Sequence, residues 1–96
     1  MRTLRHLLFM ILLCMTPALA EEVPLKAGAG QDAVTATCGT CHTLNYIRMN
    51  SVFLSPDAWK AEVSKMRDAF GAPIDDDTAA AIVKYLSANY ATQPKS

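Results

Sequence analysis

Cys38-Gly39-Thr40-Cys41-His42 sets two thiols three positions apart and puts an imidazole on the residue after the second of them. This is the C-x-x-C-H spacing by which a c-type haem is attached. Thiols so spaced on one helical turn can each add to a haem vinyl group, and the imidazole next in sequence then lies under the iron as its proximal ligand. Three other readings compete for the same residues. A thioredoxin-like dithiol wants a βαβ context, and nothing upstream of Cys38 resembles a strand feeding into it. A structural zinc site wants four nitrogen or sulfur ligands, whereas Cys38, Cys41 and His42 supply three. A plain disulfide leaves His42 without a role. The expected cofactor is therefore one covalently bound haem c, held by Cys38 and Cys41 with His42 on its iron.

The 96-residue chain carries nine Lys and Arg against nine Asp and Glu, and 51% of its residues are apolar. That length allows one small domain, and the neutral balance argues against an electrostatic nucleic-acid binder. The average conceals the start of the chain, where Met1 to Ala20 are mostly apolar, with two Arg and no acid. Arg2 and Arg5 precede an unbroken apolar run from Leu7 to Met15, and Pro17 precedes the small-x-small site Ala18-Leu19-Ala20. This reads as a secretory signal peptide over residues 1–20, cleaved after Ala20. A membrane anchor is the alternative, but nine apolar residues at about 1.5 Å each fall well short of a bilayer core roughly 30 Å thick. No membrane span is expected after cleavage. Cys14 follows bulky Leu13, where lipid attachment needs a small residue, so it is expected to leave with the signal.

The chain that follows, from Glu21 to Ser96, holds seven basic and nine acidic side chains, and its only Cys, His and Met residues are Cys38, Cys41, His42, Met49 and Met66. Much of its apolar content is alanine. That leaves a thin core for a chain of this size, which usually needs a disulfide, metal, cofactor or partner. With no second His, a haem ligated by two imidazoles is excluded within one subunit. The remaining choices are a methionine or an open site. The stretch from His42 to Met66 is long enough to pass round a haem edge and return on the far side. Met49 lies only seven positions beyond His42, a reach of at most about 25 Å when fully extended. Met66 is the better candidate.

Helices account for the rest. Ser55-Pro56-Asp57 reads as N-cap, N1 proline and first-turn acid, predicting a helix from there to about Phe70. On it Trp59, Val63, Met66 and Phe70 form one apolar stripe, so Met66 is either the distal ligand or a core residue of that stripe. Gln31 to Cys41 predicts a short helix carrying the attachment cysteines, preceded by a flexible segment, residues 21–30, with Ala27-Gly28-Ala29-Gly30 at its end. Gly30 serves either close packing or the linker. Gly71-Ala72-Pro73 stops the middle helix, and Asp75-Asp76-Asp77 caps a last one, about Asp76 to Tyr90, with Ala79, Ile82, Val83, Leu86 and Tyr90 on one face. Thr92 to Ser96 is a frayed tail. No internal repeat and no alternating run suggests a sheet. The fold expected for residues 31–91 is all-α, about three helices wrapped around one covalently attached haem.

The order of helix, attachment motif, loop, methionine and C-terminal helix resembles the small class I cytochromes c from about Gln31 to Tyr90. A closer resemblance lies in Cys38-x-x-Cys41-His42, Tyr46-Ile47, Trp59-x-x-Glu62-Val63-x-Lys65-Met66, Ala72-Pro73-Ile74, Ile82 and Tyr85-Leu86. This string looks like the cytochrome subunit of bacterial sulfite dehydrogenase, the periplasmic sulfite:cytochrome c oxidoreductase. The resemblance implies a periplasmic mono-haem subunit that pairs with a larger molybdopterin subunit, where sulfite is oxidised, and passes electrons to an external cytochrome c. It also implies that Met66 is the distal ligand; Met49 matches no ligand position.

On that reading the subunit is an electron relay with no catalytic residues towards sulfite of its own. Sulfite yields two electrons and one haem takes one at a time, so the subunit cycles twice per substrate. Tyr46 and Trp59 are candidates to line the haem pocket or simply to fill the core. Arg48 is a candidate partner for a haem propionate or a partner's carboxylate, or an ordinary solvated side chain. The uncharged run Asn50 to Leu54 is unusually apolar for a loop and suggests a subunit interface. Two further readings stay open: a free shuttle or another dehydrogenase's haem subunit, and an open-site haem. A shuttle would more often carry a ring of basic residues, and the seven here are scattered.

Overall fold

In the computed structural model, which describes residues 23–94, the chain forms four helices and no strand among the described residues. The expected signal peptide and its cleavage site lie outside the described residues. Helix α1 spans Gln31–Cys38, α2 Asn45–Asn50, α3 Pro56–Asp68 and α4 Asp76–Asn89. The fold is a small all-α domain in which α4 packs against both α1 and α3. No helix among the described residues is long and apolar enough to cross a membrane.

Local sequence explains the two longer helices. The Ser55 hydroxyl accepts the Ala58 amide at 3.2 Å, with Pro56 in the first turn and Asp57 beside it. Asp75 does the same for α4, accepting the Thr78 amide at 2.7 Å, with Asp76 and Asp77 in the first turn facing the positive end of the helix dipole. At the far end of α3, Gly71 takes the left-handed conformation at φ 70°, and the Ala72 amide reaches back to the Met66 carbonyl at 2.9 Å. The helix closes at Asp68, two residues before the expected Phe70.

The short helix α2 adds a fourth element to the three expected. It has no side-chain cap, and six isolated residues would not hold a helix in water. Burial of Leu44 and Ile47 against the core holds it instead. The core they join includes Val34, Trp59, Val63, Ile82, Tyr85 and Leu86, and each full burial of such a side chain stabilises by roughly 1.5–3 kcal/mol. On α4 the buried residue beside Ile82 and Leu86 is Tyr85, while Val83 of the expected stripe is only partly buried.

From Val23 onward, the segment for which flexibility is expected makes specific contacts with the rest of the domain. Leu25 is buried, and the Lys26 amide donates to the Tyr90 hydroxyl at 2.8 Å. The Tyr85 hydroxyl donates to the Lys26 carbonyl. Lys26 Nζ bonds the Asn89 carbonyl at 2.8 Å and sits 5.0 Å over the Tyr90 ring. The Arg48 guanidinium donates to the Val23 carbonyl and to Asn45. The physical reason is that a thin core recruits Leu25, and buried tyrosines need polar partners for their hydroxyls. Gly30 resolves towards close packing: its φ is 97°, and an added Cβ would stand 2.8 Å from the Tyr85 Cβ. At the start of the expected tail, the Thr92 amide donates to the Leu54 carbonyl at 2.8 Å.

Candidate functional site

The attachment motif straddles the end of α1. The helix ends at Cys38 rather than at the expected Cys41, so only the first thiol is helical, and Cys41 and His42 project from the turn that follows. Gly39 makes that turn: its amide donates to the Thr35 carbonyl at 3.2 Å, and a Cβ there would meet the same oxygen at 2.7 Å. The Thr40 hydroxyl then satisfies the Thr37 carbonyl at 2.8 Å, closing the helix end. Both thiols are free. Burial pushes the half-buried Cys38 thiol above its ordinary range, whereas Cys41 is exposed.

The His42 ring is exposed, with Nδ1 2.9 Å from the Thr43 carbonyl. A carbonyl only accepts, so Nδ1 is the donor, which leaves Nε2 as the nitrogen available for a metal. The backbone bond fixes ring orientation.

Two adjoining cavities meet at these residues. The larger, about 380 Å³, is lined by Thr37, Cys38, Cys41, His42, Met66, Phe70, Ala72 and Ile74. The smaller, about 30 Å³, is lined by Cys38, His42, Tyr46, Ile47, Trp59, Glu62, Val63, Met66 and Leu86. Cys38, His42 and Met66 belong to both. The stripe runs from the buried Trp59 and Val63 on α3, through half-buried Met66, to Phe70 just past the end of the helix, 71% exposed beside the larger cavity. Trp59 is 2% exposed, and its indole N–H donates to the Tyr90 carbonyl at 2.7 Å.

Expected residues divide cleanly. Cys38, Cys41, His42, Met66, Tyr46 and Trp59 line one or both cavities. Met49 lines neither and is 70% exposed. Arg48 lines neither and spends its guanidinium on Asn45 and Val23. Sequence reasoning gave no role to Glu62, which accepts the Tyr46 hydroxyl at 2.8 Å and Lys65 Nζ at 2.7 Å. The Lys65 ammonium holds the Glu62 carboxyl below its ordinary range, and the bond to Glu62 raises the Tyr46 phenol. Proximity of Glu62 to Met66 at i and i+4 was the available signal.

Residues 28–95, a stretch that takes in all four helices, match the family described as quinohemoprotein amine dehydrogenase A, alpha subunit, haem binding. The chain belongs to this family. It is a haem-binding domain of the type drawn from a dehydrogenase subunit. No curated protein matches the chain. The donor set fits what the family binds. Two thiols, an imidazole and a thioether border cavities whose remaining walls are mostly apolar side chains such as Ile74, Phe70, Val63 and Leu86. Soft sulfur and imidazole suit iron in a porphyrin.

Proposed function

We propose that the chain is a mono-haem c-type cytochrome, the electron-transfer subunit of a periplasmic dehydrogenase. The observation that carries this reading is the convergence of Cys38, Cys41, His42 and Met66 on the larger cavity. Cys38 and Cys41 would hold the haem covalently by adding S–H across its vinyl double bonds, and His42 Nε2 and the Met66 thioether would bind its iron. When bound, the haem supplies a site that takes and releases one electron at a time. The chain's own work is to fix the ligands, exclude water with Trp59, Val63 and Leu86, and leave the Cys41 and His42 edge open to partners. A thioether ligand raises the reduction potential relative to an all-nitrogen site, which suits an electron acceptor.

The donor proposed is a molybdopterin subunit that oxidises sulfite, on the resemblance of the Trp59-to-Met66 string, and the acceptor an external cytochrome c. The segment from Met1 to Ala20 supports export to the periplasm. The family match favours a second donor, the catalytic subunit of an amine dehydrogenase. A visible spectrum of the protein isolated gently from periplasm with its co-purifying partner, before and after sulfite or a primary amine, separates the two. Reduction by sulfite alone supports the molybdopterin partner, reduction by the amine alone replaces it, and reduction only by dithionite leaves a shuttle. Met66→Ala is expected to abolish the sulfur-to-iron charge-transfer absorption, and Met49→Ala to leave it intact.

A further inference from the structure

The smaller cavity is bordered by a hydrogen-bonded chain for which the ligand set has no use. Tyr46 leaves α2 one turn beyond the motif and lays its ring 5.4 Å from that of His42, centroid to centroid, at an interplanar angle of 48°. Its hydroxyl donates to Glu62 Oε2 at 2.8 Å. The other carboxylate oxygen of Glu62 takes Lys65 Nζ at 2.7 Å. Glu62 precedes Met66 by four residues on α3 and so shares its face. The Tyr46 backbone is fixed as well, since the Asn50 side-chain Nδ2 donates to its carbonyl at 2.8 Å and neighbouring Ile47 is buried. One side chain thereby joins the segment bearing His42 to the helix bearing Met66.

We infer that Tyr46, held by Glu62, is a positioning residue that sets the spacing between the two axial side chains. The inference rests on the haem reading above and adds a role for residues that touch no iron. A bond from a hydroxyl to an ionised carboxylate is charge-assisted and stronger than a neutral one. Both partners are partly buried, so water screens it less than a surface pair. Cutting it frees α3 to draw back. His42 stays, anchored through adjacent Cys41, and the Met66 sulfur is the group that leaves. Lys65 is exposed and contributes less.

The test is an imidazole titration of the ferric holoprotein, in which imidazole competes with Met66 and the sulfur-to-iron absorption disappears as it wins. Tyr46→Phe keeps the ring and removes the hydroxyl, and is expected to tighten imidazole binding about fivefold to tenfold. Glu62→Ala should give the same shift, and Glu62→Gln, whose amide oxygen still accepts from Tyr46, should restore most of the wild-type affinity. The double variant should be no worse than either single, because both cut one bond. Wild-type imidazole affinity in both Tyr46→Phe and Glu62→Ala, measured where each is folded, overturns the positioning role even if both melt earlier. Wild-type protein without attached haem, or without the sulfur absorption, overturns the parent reading and this one with it. An intact wild-type spectrum with unchanged variants overturns the positioning role alone.

Discussion

The two ends of the helical packing are finished in opposite ways. Around Tyr85 and Tyr90 the chain closes on itself: both hydroxyls are bonded to Lys26, their rings lie 6.1 Å apart, and Gly30 presses its backbone onto Tyr85. Around Cys41, His42 and Phe70 it stays open, with exposed side chains bordering about 380 Å³ of space. The lesson is a division of labour. A small chain stabilises itself where it can reach its own backbone, and sets apolar walls on the side that is to bind haem.

Breaking the shared floor of the two regions should have the largest effect. Trp59 lines the smaller cavity and also bonds the Tyr90 carbonyl, so Trp59→Ala is expected to cost about 3–5 kcal/mol in a denaturant titration. On the closed side alone, Gly30→Ala puts a Cβ into the left-handed region and against Tyr85, and stability in the same titration should fall by about 1–3 kcal/mol. The cavities should keep their haem spectrum in that variant as long as it is folded.

A pH titration sharpens the contrast further. Burial, with Tyr90 beside it, pushes the Tyr85 phenol from 10.0 up to about 12. The raised group keeps its proton in the folded state after the unfolded chain has lost it, so its stabilisation is complete below pH about 10 and drains away as pH climbs to about 12. Tyr85→Phe should flatten that alkaline fall, read as the change in melting temperature between pH 9 and pH 12. The smallest effect is expected outside both regions. Val52 is 69% exposed, and Val52→Asp should change the stability of the isolated domain by less than about 0.5 kcal/mol. If the run from Asn50 to Leu54 meets a dehydrogenase subunit, the same variant loosens that complex in a sedimentation assay.

What was legible in the sequence was local chemistry. Ser55-Pro56-Asp57 and the Asp75 run each announce a helix start because the capping atoms lie within three residues. The motif offered His42, and the short inventory of Met residues with the Trp59-to-Phe70 stripe offered Met66, as candidates; both border the same two cavities. What escaped was long-range. Lys26 meets Tyr90 across 64 residues and Tyr46 meets Glu62 across 16, and no periodicity encodes either pair. Helix α2 escaped because tertiary burial of Leu44 and Ile47, not capping, stabilises it. Helix α1 ends early at Gly39, whose missing Cβ allows a close approach to the Thr35 carbonyl before the second thiol.

The anchoring of Val23 to Lys26 has a consequence for the domain's architecture as a component. The same hydrogen bonds that fix this entry segment hold it beside the exit of α4, at Asn89 and Tyr90. Neither the entry residues from Val23 to Lys26 nor those from Tyr90 to Pro94 border the cavities of the candidate site. Incoming and outgoing chain therefore pass each other at Lys26 and Tyr90, away from the walls of the candidate site. Further chain joined at that end of the packing leaves the cavity side clear of the junction.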